Sequence, residues 1–104
     1  MASYHFDLNS DSKELRIRVA VPQFDAAAVA DFKSALDAAW KPGIARVVLD
    51  LAAVEFIDSS GVGALLSVQK RLPPAGEPVT LRRVRPAVIS VLQLLRLQRV
   101  FNLA

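Results

Sequence analysis

A short apolar run followed by a helix start constrains the fold of this chain most strongly. The run extends from Val47 to Leu51, as expected of a strand that neighbours cover on at least one face. Shortly after it comes Asp58-Ser59-Ser60-Gly61. Asp and Ser side chains cap helices, because their oxygens accept hydrogen bonds from the first free backbone N–H groups. Strands that are separated by helices pair in parallel through right-handed crossovers, which favours an α/β fold.

The residues before this run predict two strands and one helix. Tyr4 to Leu8 and Leu15 to Val21 alternate apolar and polar side chains, which predicts an antiparallel pair. From Asp25 the apolar period becomes helical, so we expect a helix that is capped by Asp25 and ended by Pro42-Gly43. The apolar stripe of this helix consists of Val29, Phe32, Leu36 and Trp40.

The residues after the run predict a helix from Ser60 to Arg71, a strand from Val79 to Val84 and a helix from Pro86 to Arg96. Gly61 and Gly63 leave the first turn of the earlier helix thin enough for another backbone or a protein partner to approach closely. The predicted order is ββαβαβα, in an α/β fold. We expect a small mixed sheet of about four strands, with about three helices mainly on one face, in a single domain over residues 1–104.

Composition excludes several kinds of chemistry. The chain has no cysteine, which rules out disulfides, thiolate catalysis and zinc sites built on sulfur. His5 is the only histidine, so a Ser-His-Asp arrangement that activates Ser59 as a nucleophile would have to use His5. We therefore expect neither an enzyme nor a metal or cofactor site.

Charge divides the chain into two unequal parts. Residues 1–58 have six Lys or Arg against nine Asp or Glu, and residues 59–104 have seven against one. The basic part lacks interleaved aromatic residues and a recognisable nucleic-acid motif, so solvated faces or an acidic protein partner explain it better than direct nucleic-acid binding. No apolar run is long enough to span a bilayer and no signal peptide is evident. We expect a cytoplasmic protein that does not bind membranes.

Two interpretations of Asp58-Ser59-Ser60 follow from local physics. The first is a purely structural helix cap. The second is a hydroxyl presented for phosphorylation, because helix N-termini favour negative charge. In the second interpretation, Ser59 accepts the phosphate, and we expect Ser60 to point its hydroxyl toward the first helical turn, either as a cap or as a group that supports it.

The whole phrase, from Leu49-Asp50-Leu51 through Asp58-Ser59-Ser60-Gly61 to Leu66, resembles the signature of the STAS domain, and more narrowly of the bacterial anti-sigma factor antagonists. The resemblance extends from about Leu15 to Phe101. Two positions depart from the family pattern: Pro22-Gln23-Phe24 replaces a usual glycine before the first helix, and Arg85 replaces a Ser or Thr cap before Pro86.

This resemblance implies a phosphorylation-controlled binding module. Ser59 is the residue that corresponds to the family's phosphorylated serine. We expect partner contacts at Asp25, Asp58, Ser60, Gly61 and Val62. The implied partners are an anti-sigma factor that is also a serine kinase, which brings its own ATP, and a PP2C-type phosphatase that removes the phosphate.

The alternative is a non-phosphorylated STAS accessory subunit of a lipid-transport ABC system. Relatives of that kind generally have a Thr or a small residue in place of the Ser-Ser pair, which favours the first hypothesis here.

Overall fold

The described part of the chain forms seven strands and three helices. The computed structural model describes residues 3–74 and 76–104, and residues 1, 2 and 75 of the predicted domain lie outside this part. The strands are β1 (Tyr4–Asn9), β2 (Glu14–Val19), β3 (Gln23–Phe24), β4 (Arg46–Asp50), β5 (Phe56–Ile57), β6 (Thr80–Arg82) and β7 (Asn102–Leu103). The helices are α1 (Ala26–Ala39), α2 (Ser59–Arg71) and α3 (Pro86–Leu94).

The main sheet has five strands in the order β1-β2-β4-β6-β7. β1 and β2 pair antiparallel, whereas all the other neighbours in this sheet pair in parallel. The α/β class, the mixed sheet and its three helices are therefore confirmed.

Three strands were missing from the sequence prediction, and each contains only two residues. A two-residue segment has no apolar period, so only its pairing in the folded chain defines it. β7 extends the main sheet beside β6, which makes five strands rather than about four. β3 and β5 form a separate, parallel two-stranded sheet.

Helix α3 ends at Leu94, two residues before the predicted end. Arg96 has φ +58°, in the left-handed region. Its N–H donates to the Gln93 carbonyl at 3.0 Å, and the Leu97 N–H donates to the Leu92 carbonyl at 2.8 Å. These two bonds form a Schellman motif, which ends the helix although the apolar pattern continues.

The core lies between the three helices and one face of the main sheet. Alternate residues of β2, β4 and β6 point into it, and so do apolar residues of each helix. They include Leu15, Ile17, Val47, Leu49, Leu81, Phe32, Leu36, Leu65, Val68, Val88 and Leu92. The side chains on the other face are exposed or half-buried, and most are polar. The helices therefore lie on one face of the main sheet, as predicted, and the other face is open.

Candidate functional site

The small sheet aligns the starts of two helices. Phe24 of β3 pairs with Ile57 of β5 in a parallel register. The residue after each of them, Asp25 or Asp58, is the N-cap of the helix that follows. Because neighbouring strands lie about 4.8 Å apart, α1 and α2 begin side by side.

Both caps have the same geometry. Asp25 and Asp58 each have φ −111° and ψ −172°, which is extended backbone. The Asp25 Oδ1 accepts a hydrogen bond from the Ala28 N–H at 3.1 Å, and the Asp58 Oδ1 accepts one from the Gly61 N–H at 3.0 Å. The prediction of Asp25 as a cap is confirmed. Asp58 occupies the N-cap of α2 and Ser60 is already helical, so of the two roles expected for Ser60 the structure leaves the supporting one.

Ser59 is the first residue of α2, and its side chain is exposed. The first N–H groups of a helix point outward from its N-terminus, so the Ser59 hydroxyl lies where the helix field favours an anion. Ser60 follows within the same turn and is half-buried. Of the two hydroxyls, that of Ser59 is therefore the more accessible to a modifying enzyme.

Gly61 permits a close contact inside the protein. A Cβ atom at this position would lie 2.2 Å from the Phe24 carbonyl oxygen and 2.6 Å from Cγ1 of Ile57. The first turn of α2 thus rests directly on both strands of the small sheet. At Gly63, by contrast, a Cβ atom would meet nothing within 4 Å. We expected another backbone or a partner protein to approach both glycines closely. At Gly61 the close contact is with the backbone of this chain, whereas the space at Gly63 is open.

Val62 is buried, with 3% of its surface exposed, and belongs to the core. Gly61 is buried as well. Buried groups offer a partner little surface, and the partner contacts at Gly61 and Val62 stay predictions. Asp25, Asp58 and Ser60 are half-buried and stay predictions as partner contacts.

Tyr4 links β1 to the first turn of α1. Its hydroxyl donates a hydrogen bond to the Ala28 carbonyl at 2.7 Å. Burial raises the pKa of Tyr4, and the negative charges of Asp31 and Asp25 raise it further. The carboxylate of Asp25 therefore contributes a negative potential around the start of α1.

The structure does not bring His5 to Ser59. His5 pairs with Arg18 on the open face of the main sheet, whereas α2 packs on the opposite face. Within residues 3–74 and 76–104, no three acidic or histidine side chains come together in a way that could hold a metal ion. In the same part of the chain, no helix has the length and apolar character to cross a membrane.

Sequence reasoning missed the pairing of Phe24 with Ile57, which sets the geometry of the site. A signal was present: Phe24-Asp25 and Ile57-Asp58 are both an apolar residue followed by a capping aspartate and a helix. This repeated sequence pattern would have predicted that α1 and α2 begin in the same way.

Comparisons with solved structures show that other proteins share this fold. The structure is similar to that of the anti-sigma factor antagonist SpoIIAA in its unphosphorylated form, with a TM-score of 0.77 and 23% identity over 97% of this chain and 87% of that chain. For the phosphorylated form of the Bacillus cell fate determinant SpoIIAA, the TM-score is 0.69 and the identity 22% over 97% of this chain and 90% of that chain.

The structure is also similar to that of a sulfate transporter family protein from Wolinella succinogenes. The TM-score is 0.69 and the identity 18%, over 92% of this chain and 80% of that chain. These likenesses show a shared fold. A family model described as "Mlab, STAS domain" matches residues 6–103, and the chain therefore belongs to the STAS domain family.

Proposed function

We propose that this chain is an anti-sigma factor antagonist controlled by phosphorylation of Ser59. In its unmodified form it binds an anti-sigma factor that is also a serine kinase, and it releases that kinase once Ser59 carries phosphate. The observation that carries the proposal is the exposed position of Ser59 at the start of α2, directly after the capping carboxylate of Asp58. The fold that the chain shares with both forms of SpoIIAA supports it.

The charge of the phosphate explains the release. A phosphoserine carries about 1.5 to 2 negative charges. At Ser59 they would be added to a surface that already carries the carboxylates of Asp58 and Asp25. About 3 kcal/mol of repulsion and desolvation on the partner's side would weaken binding roughly a hundredfold.

The fold should tolerate the same phosphate. A negative group at a helix N-terminus is favourable by about 0.3 to 1 kcal/mol. The switch therefore acts on the interface rather than through unfolding. The chain is a binding module and not an enzyme in this proposal: the kinase supplies ATP, a PP2C-type phosphatase resets Ser59, and all three proteins are cytoplasmic.

Reconstitution with purified proteins tests this function. The kinase-type anti-sigma factor and its sigma factor are mixed, and the unmodified chain is added without ATP. We expect sigma factor to be released and the chain to co-elute with the anti-sigma factor in size-exclusion chromatography. Addition of ATP should reverse both changes. Failure of the unmodified chain to displace sigma factor would contradict the proposal.

A non-phosphorylated accessory subunit of a lipid-transport ABC system is the second candidate. The similarity to a sulfate transporter family protein favours a transporter-associated role for the same fold. The open surface at Gly63 would suit a close helix contact. In this case the chain would bind the transport ATPase stably, and ATP with a serine kinase would not dissociate the complex.

A further inference from the structure

A row of charged residues crosses the open face of the main sheet. Arg18, Asp50 and Arg82 are register partners on β2, β4 and β6, and His5 continues the row on β1. The residues next to them along these strands, such as Ile17 and Leu81, point into the core. Because side chains alternate along a strand, the charged row points to the open face.

The carboxylate in the middle of this row already has partners. Asp50 forms an ion pair with Arg83, whose Nε lies 3.3 Å from Oδ1, and the same oxygen accepts the Ala52 N–H at 3.0 Å. Burial raises the pKa of Asp50, but the hydrogen bonds from Arg83 and Ala52 and the charge of Arg18 outweigh burial, so this pKa is lowered. Asp50 is therefore a charged group that Arg83 largely satisfies.

The guanidinium groups on either side are free. Arg18 and Arg82 are exposed, and neither makes an ion pair within residues 3–74 and 76–104. They extend from strands that have one strand between them, so their Cα atoms are separated by about 10 Å. Guanidinium groups bind carboxylates through paired, charge-assisted hydrogen bonds. Two free groups at this spacing form a two-point site for negative charge.

The surface between them is shallow. A depression of about 200 Å³ lies over β1, β2, β4 and β6, with Arg16, Arg18 and Arg82 on its lining. Pockets that enclose small-molecule ligands usually measure about 300 to 1,000 Å³. The depression fits side chains of a docking protein better than an enclosed small molecule.

We propose that the open sheet face docks an acidic segment of a partner protein. Arg18 and Arg82 each bind one carboxylate of this segment, and the two carboxylates are two to four residues apart. Charge complementarity argues for this partner. Such a spacing corresponds to about 7 to 13 Å along an extended segment and to about 3 to 6 Å along a helix axis, and the long arginine side chains can reach across the difference.

Nucleic acid fits this face less well. The carboxylates of Asp7 and Asp50 lie among the arginines on the lining of the depression, and they would repel a continuous phosphate backbone. A peptide, in contrast, can place separate carboxylates at the arginines and uncharged groups beside Asp7.

This docking face goes beyond the proposed function, because it lies on the side of the sheet opposite the start of α2. Binding there leaves Ser59 accessible. The same molecule could therefore hold the acidic partner and the kinase together, and the acidic segment should bind whether or not Ser59 carries phosphate.

A titration with a model peptide tests the proposal. A ten-residue peptide of alternating glutamate and serine residues is added to the ¹⁵N-labelled full chain at low ionic strength, and amide shifts are followed by NMR. We expect saturable shifts centred on β1, β2, β4 and β6. The double variant Arg18→Gln, Arg82→Gln should bind about tenfold more weakly, because two exposed ion pairs are removed, and added salt should reduce binding to wild type more than to this variant.

The matched control is the double variant Lys70→Gln, Arg99→Gln. It removes the same charge from two exposed residues that do not line the depression, and it should bind the peptide as wild type does. An equal loss of affinity in the control would show that binding depends only on the net charge of the chain, and it would overturn the proposal. Shifts centred on the start of α2, or tighter binding of a duplex DNA oligonucleotide of equal charge, would overturn it as well.

Discussion

Asp25 and Asp58 cap adjacent helices with the same backbone conformation, because the residues that precede them, Phe24 and Ile57, are paired in a parallel two-stranded sheet. This pairing fixes the start of α2 against the start of α1. Ser59 follows Asp58 directly, so a rigid scaffold presents its hydroxyl at the surface. A surface of this kind can be recognised by a partner that distinguishes the presence of one phosphate.

The two caps should contribute similarly to stability. Replacing either one, as Asp25→Ala or Asp58→Ala, leaves a helix N–H without its acceptor, and we expect the free energy of unfolding to fall by about 1 kcal/mol. Asp58→Asn retains an oxygen acceptor and should lose only a fraction of this. Urea denaturation followed by circular dichroism measures all three. If Asp58→Ala does not fold, Asp58 is needed mainly for the structure and not mainly to position Ser59.

The two glycines of α2 should respond oppositely to alanine. Gly61→Ala would place a methyl group 2.2 Å from the Phe24 carbonyl oxygen, and we expect the free energy of unfolding to fall by at least about 2 kcal/mol. Gly63→Ala meets no atom within 4 Å and should raise it by up to about 1 kcal/mol through helix propensity. Urea denaturation followed by circular dichroism measures the stability of both variants. Similar changes in the free energy of unfolding at the two positions would contradict the packing described for Gly61.

Tyr4 should make stability sensitive to alkaline pH. Its pKa in the folded chain is raised above the unfolded value, so folding favours the protonated phenol. The stability that Tyr4 adds is therefore complete below about pH 10, the ordinary pKa of tyrosine, and is lost as the pH rises through the folded pKa. Tyr4→Phe removes the hydrogen bond to Ala28 and should cost about 1 kcal/mol at neutral pH.

The measurement compares the stability of Tyr4→Phe with that of wild type. Midpoints of urea unfolding are recorded from pH 7 to above pH 10. The difference between the two proteins should shrink as the pH rises above 10, because only wild type carries the titrating phenol. A difference that stays constant with pH would contradict the role given to Tyr4.

Phosphorylation should occur at Ser59 and not at Ser60, because Ser59 is exposed at the first position of α2 while Ser60 is half-buried. Wild type, Ser59→Ala and Ser60→Ala are incubated with the cognate kinase and ATP and analysed by mass spectrometry. Ser60→Ala should accept one phosphate and Ser59→Ala none. A phosphate on Ser59→Ala would identify another acceptor and refute the assignment.

Long elements were predictable from the sequence because their apolar residues repeat with a clear period. The stripe of Val29, Phe32 and Leu36 predicted α1, and all three residues are buried in the structure. β3, β5 and β7 were not predictable in this way, because contacts with distant strands create them. The end of α3 was also missed, since Arg96 adopts a left-handed conformation that is usually associated with glycine.

The candidate site was predictable in part. Capping chemistry predicted the role of Asp25, which the structure confirms, and the resemblance indicated Ser59, whose phosphorylation stays a prediction. The sequence could not distinguish the side of α2 that packs inward from the side that stays free. Burial of Val62 and the close contact of Gly61 with β3 depend on how the small sheet meets the helix, which is a tertiary relationship.

In the proposed switch, negative charge at Ser59 controls binding of the anti-sigma factor kinase. The most direct test is isothermal titration calorimetry of this kinase with wild type, Ser59→Ala and Ser59→Asp, after circular dichroism has confirmed that all three are folded. Ser59→Ala should bind about as tightly as wild type and should not be released by ATP. Ser59→Asp should lose at least about tenfold in affinity, since a carboxylate supplies part of the charge of a phosphate. Equal affinities of Ser59→Asp, Ser59→Ala and wild type would show that Ser59 is not a charge-operated switch.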